Sequence, residues 1–178
     1  MEEAGFSIDD QSLFQIAVNL PVAQLLKLCQ SDKRMSTLCR SQRLWLTRLT
    51  RDYPQIDYRQ NFGGNPMHAY IAAYAADTLI NNEGYIAIEN VYLRMIISNS
   101  VSEGGPKEIQ LKGSQRVPLF MTFAEKYPNM RVFYGFSVGS DVMATFESDD
   151  LVELANMIDD LVKSMELKYT DIVVRRDP

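Results

Sequence analysis

The sequence predicts an α+β protein: a short-helix module at the front, then a domain with an antiparallel sheet and amphipathic helices. Three observations carry this expectation. Between residues 12 and 52 apolar residues recur at helical spacing, interrupted by short polar breaks. After Gly84 the period changes, and "YIAIENVYLRMIIS" is rich in β-branched and aromatic residues. Charge also divides the chain. Residues 23–60 hold eight basic and three acidic residues, whereas residues 61–178 hold sixteen acids and ten bases. A basic front and an acidic back fit two modules and favour contact between them. The expected division is a helical module over 1–60, a turn and linking helix over 61–83, and an α+β domain over 84–178.

The elements follow in order. Over residues 12–20, Leu13, Ile16, Ala17 and Leu20 share one helical face. Pro21 suits the first turn of the next helix, where its missing N–H costs nothing. That helix carries Val22, Leu25, Leu26 and Cys29. Gln30-Ser31-Asp32 breaks the pattern and caps a third helix, lined by Met35, Leu38 and Cys39. Ser41 caps a fourth, in which Leu44, Trp45, Leu46 and Leu49 are expected to bury while Arg43, Arg48 and Arg51 stay wet. Helices this short are marginal alone and must pack on one another. "NFGGNP" at 61–66 is a turn cluster and the candidate boundary. Residues 66–82 read as an Ala-rich helix with Tyr70, Ala73, Tyr74 and Ile80 as packing residues.

In the back half, residues 109–112 read as a short strand and "VPLFMTFAEKYP" as a helix closed before Pro128. "MRVFYGFSV" and "DVMATFES" flank Gly139-Ser140 and read as a hairpin. From Asp150 to Leu167 a capping-box spacing, Asp150 and Glu153, opens an apolar stripe of Leu151, Leu154, Ala155, Ile158, Leu161, Val162 and Met165. Glu153, Asn156, Asp159, Asp160 and Lys163 are expected to face away from it. "YTDIVVRR" reads as a last strand.

Bulk composition excludes several classes. Apolar content of 46% and charged content of 23% are those of a globular chain. A formal net charge of −5 gives no whole-protein reason to expect nucleic acid or acidic lipid. No secretion signal opens the sequence and no apolar run nears the ~20 residues of a bilayer span. The chain is expected to be soluble and intracellular, with Cys29 and Cys39 as reduced core thiols.

In residues 12–49 the segments "SLFQIAVNL", "LPVAQLLKL", "KRM" and "LWLTRL" stand in the order and spacing of an F-box. The region resembles that family, and "LLKLCQSDKR" followed by "LC" and "LW" is most similar to the F-box-like proteins of large DNA viruses. The resemblance implies a fold of short helices and docking on the Skp-type adaptor of a cullin ubiquitin ligase. A second domain on the chain would then hold another protein partner. For a viral chain, the resemblance implies a place in the host cytoplasm or the virion. Docking would use the first two helices through Leu13, Phe14, Ile16, Pro21 and Leu25, since aliphatic and aromatic anchors dominate such interfaces.

Chemistry is thinly supported. His68 is the single histidine, and two cysteines ten apart lack zinc-finger spacing, so no metal set is expected. Both cysteines lie on apolar stripes, away from any nucleophile role. "NFGGNP" and "YGFSVGSD" lack the Lys or third Gly of a phosphate loop. Asp149-Asp150 and Asp159-Asp160 read as a cap and a wet face. No catalytic residue and no cofactor is expected, and the expectation is a non-enzymatic protein–protein interaction adaptor. The rival readings are a weak nucleic-acid binder using Lys33, Arg34, Arg40, Arg43, Arg48 and Arg51 in a helix-turn-helix, and a structural or virion-packaged homo-oligomer.

Overall fold

The computed structural model describes residues 9–81, 84–89, 94–99, 107–112, 125–126, 130–134, 142–146, 150–164, 166, 168–169 and 172–176. Six α-helices lie among them: α1 (Asp10–Asn19), α2 (Val22–Ser31), α3 (Lys33–Cys39), α4 (Gln42–Asp52), α5 (Pro66–Ile80) and α6 (Leu151–Ser164).

The caps follow from the sequence. Asp9 opens α1 by accepting the Ser12 N–H at 2.7 Å. Asp32 ends α2 and opens α3, accepting the Met35 N–H at 3.0 Å. Asn65 accepts from Met67 and His68 and precedes Pro66, which fits the first turn because it has no N–H to satisfy. Asp150 accepts the Glu153 N–H at 3.1 Å, the forward half of the expected capping box. Ser41 sits at the N-cap of α4 but makes no side-chain cap bond.

One buried cluster runs from Phe14 to Tyr169 and joins all six helices. Helix α5 is its axis. Ten of its fifteen residues are buried, and it packs against both α4 and α6. Its alanines explain the role, since small side chains let neighbouring helices approach closely. Trp45, Phe62, Leu25, Leu44 and Leu79 are the largest side chains buried completely.

This corrects the expected α+β fold class. Among the residues described with their side chains, 76% are helical and none lies in a strand. The stripe on α6 is buried as expected, through Leu154, Ala155, Ile158, Leu161 and Val162. It is buried within this helical body, against α5. Although the residue pattern changes after Gly84, the best-patterned segment of the back half, α6, completes the helical core of the front.

Six further segments are described by backbone alone: β1 (Gly84–Glu89), β2 (Arg94–Asn99), β3 (Lys107–Lys112), β4 (Met130–Tyr134), β5 (Val142–Phe146) and β6 (Ile172–Arg176). Their pairings are antiparallel, in the order β4-β5-β3-β2-β1-β6. The helix expected within residues 117–128 lies outside the described residues, apart from a turn at 125–126. No helix among the described residues is long and apolar enough to cross a membrane.

Candidate functional site

The first candidate surface is the corner formed by α1 and α2. The five residues expected to bind a partner there divide in two. Ile16 is 45% exposed, and Pro21 is exposed in the turn between the helices. Leu13 is half-buried. Phe14 and Leu25 do not face outward: both belong to the buried cluster, Leu25 with no exposed surface at all. The reason is geometric. Phe14 and Leu25 occupy the inward turns of their helices, and the Arg43 guanidinium covers the Phe14 ring at 4.5 Å. Ile16 was read onto the same face as Leu13 and Ala17, but lies on the outward side of α1. Among the described residues the exposed large hydrophobics are Ile16, Leu28 and Leu46, on α1, α2 and α4.

The basic residues do not form one array. Arg48 is 2% exposed and lies in the core, which corrects its expected place on a wet face. Its Nη1 donates to the carbonyls of Ala17, Val18 and Leu20 at 2.8, 2.9 and 2.8 Å. These carbonyls end α1, where backbone acceptors have no helical partner and the dipole favours a cation. Nη2 donates to the Tyr70 hydroxyl at 3.1 Å, which donates in turn to Asp52 Oδ2 at 2.7 Å. Arg51 is bound to Asp52 at 2.8 and 3.1 Å and to Asn19 at 3.2 Å. The Arg51 guanidinium holds the Asp52 carboxyl below the usual carboxylate range. Burial and the bond to Asp52 push the Tyr70 hydroxyl up to about 12. Arg34 pairs with Asp10 at 2.9 Å. Lys33 and Arg40 are exposed. A recognition surface needs its cations turned to solvent together, and here one is buried while two others are bound to carboxylates.

The cysteines depart furthest from expectation. Cys29, near the end of α2, and Cys39, at the end of α3, are joined by a disulfide. Their Cα atoms are 5.9 Å apart, within the span such a bond bridges. The Cys39 carbonyl accepts the Trp45 Nε1–H at 2.7 Å. Trp45 is 1% exposed and packs at 5.7 Å from the Tyr70 ring, as the core anchor that its flanking leucines suggested.

A second cluster lies where α6 meets the start of α5. Asp159, expected on the wet face of α6, is 2% exposed. Its Oδ1 accepts the Tyr169 hydroxyl at 2.6 Å, and its Oδ2 accepts the Phe62 N–H at 3.1 Å and meets Lys163 Nζ at 2.7 Å. Phe62 holds φ 60°, a left-handed backbone that favours glycine, followed by Gly63 at 64°. His68 stacks on the Tyr169 ring at 4.4 Å, and burial lowers its pKa. These groups border an open cleft of about 670 Å³. Three protein groups already donate to the carboxylate, and the bond from Phe62 ties the 61–65 turn to α6. No three metal-ligating side chains cluster among the described residues. The burial of Asp159 and the stack of His68 have no local signal, because the Phe62–Asp159 and His68–Tyr169 contacts span roughly a hundred residues.

No known protein family, curated protein or solved structure matches the chain.

Proposed function

We propose that the chain is a protein–protein interaction adaptor, whose short-helix unit docks on a Skp-type protein while another part of the chain engages a second protein. One observation carries the reading. The exposed large hydrophobics among the described residues all fall on α1, α2 and α4, although the same helices bury an extensive core. Ile16 and Pro21, both expected to bind a partner, are among the outward-facing residues of the α1–α2 corner. An exposed aliphatic such as Ile16 is stabilised when a partner removes it from water, and such anchors dominate many interfaces. The F-box-like order of segments over residues 12–49 supplies the identity of that partner.

The test is co-purification of a Skp-type adaptor with the parent chain and with Ile16→Asp and Pro21→Ala variants. The Ile16 side chain already faces water, so the charged variant keeps its fold. Binding by the parent and loss in Ile16→Asp support the reading. No binding by the parent, together with a dimeric mass in solution that Ile16→Asp abolishes, assigns the surface to self-association instead.

A further inference from the structure

We propose that the Cys29–Cys39 disulfide is a thiol-exchangeable clamp that sets the local stability of the α2–α3 pair without setting that of the whole fold. The inference stands whether or not the chain docks on an adaptor.

The α2–α3 pair is the thinly anchored part of the helical body. Helix α2 buries only Val22 and Leu25, and α3 only Met35 and Cys39. Helix α5 buries ten residues and α6 buries seven. A unit with few buried contacts opens at lower free energy than the core around it. The disulfide closes a short loop across this weak pair, and a covalent loop limits how far the two helices separate.

The two cysteines differ in burial. Cys29 is partly exposed on α2, beside Leu28, which is itself 38% exposed. Cys39 is buried, and its carbonyl is fixed by Trp45. An incoming thiolate therefore reaches Cys29 first. With a dithiol as reductant, one thiolate attacks Cys29 Sγ, the Cys29–Cys39 bond breaks, and Cys39 leaves as a thiolate that takes up a proton. The second thiolate of the reductant then attacks its own sulfur in the mixed disulfide and releases Cys29 as a thiolate, which is protonated in turn. The reductant becomes a cyclic disulfide, two electrons pass to the protein, and two cysteine thiols result.

The test compares the air-oxidised chain with the same chain treated with dithiothreitol, without denaturant. Thiols are counted by alkylation and mass spectrometry, and amide exchange is followed by peptide. The expected result is two alkylatable cysteines only after treatment, with exchange over 22–39 accelerated at least about tenfold while 66–80 and 151–164 keep their protection. A Cys29→Ser, Cys39→Ser double variant should show the reduced pattern and ignore dithiothreitol. In single variants, oxidised glutathione should cap Cys29 in Cys39→Ser at least about tenfold faster than it caps Cys39 in Cys29→Ser. The proposal is overturned if the untreated chain already carries two free thiols, if thiols appear only in denaturant, or if exchange rises equally in all helices.

Discussion

At the scale of single residues, Arg48 shows how a charge can be spent on architecture. Its guanidinium meets three carbonyls at the end of α1 and the Tyr70 hydroxyl, and only its Nε lacks a partner among the described residues. Arg48→Met should therefore destabilise the chain by at least about 1–3 kcal/mol in urea unfolding, because it leaves buried carbonyls at the end of α1 without their donor. Arg48→Lys should recover little of this, since an ammonium lacks the planar fork. Trp45→Ala should cost about 3–5 kcal/mol, as expected for emptying a buried indole site. Asp159→Ala leaves the Phe62 N–H and the Tyr169 hydroxyl without their acceptor, each costing about 1–3 kcal/mol when buried. These roles differ in how far the sequence revealed them. Trp45 sits in an apolar stripe and was legible. Arg48 and Asp159 occupy positions whose spacing alone reads as a wet face. Their burial depends on what the neighbouring helix offers, and no local pattern carries that.

At the scale of elements, helix positions were the most legible feature. The caps at Asp32 and Asp150, the helix opening at Pro66 and the stripe on α6 are local signals with local causes. Their partnership was not legible. Residues 66–82 are expected as a linking helix, and α5 packs on both α4 and α6; that α4 and α6 share one core through it has no local signal. The contact between α5 and α6 also gives a pH dependence. Burial lowers the pKa of His68 in the folded chain below the ordinary 6.5, so the fold favours the neutral ring. That contribution is complete above the unfolded value and is lost as pH falls through the folded one. The melting temperature should decline as pH is lowered from about 7 toward 5, and His68→Phe, which keeps an aromatic face for Tyr169, should flatten the part of the decline that begins below 6.5. Asp52 acts lower on the scale. Its depressed pKa, held down chiefly by Arg51, means its contribution is present above the carboxylate range and disappears as pH falls through it.

At the scale of the whole molecule, the helical body reads as one buried cluster with its large exposed aliphatics on α1, α2 and α4. The sequence pointed to this surface through Ile16 and Pro21 but also enlisted Phe14 and Leu25, because helical spacing does not distinguish a residue facing its own core from one facing a partner. The basic residues illustrate the converse. They cluster in sequence, yet in the fold Arg48 joins a buried network, Arg34 and Arg51 pair with carboxylates and Arg43 covers a ring, while Lys33 and Arg40 stay exposed. The adaptor reading therefore rests on the exposed aliphatics Ile16, Leu28 and Leu46 and on Pro21. The measurement that tests it most directly is the dissociation constant of a purified Skp-type adaptor for the full chain, by calorimetry, beside that of Ile16→Asp. The account predicts saturable one-to-one binding by the parent, weakened at least about tenfold by Ile16→Asp with the melting temperature unchanged, since one interface anchor commonly carries more than 1.4 kcal/mol. Equal affinity of the two chains, or no heat of binding from the parent at concentrations up to the solubility limit, would contradict it.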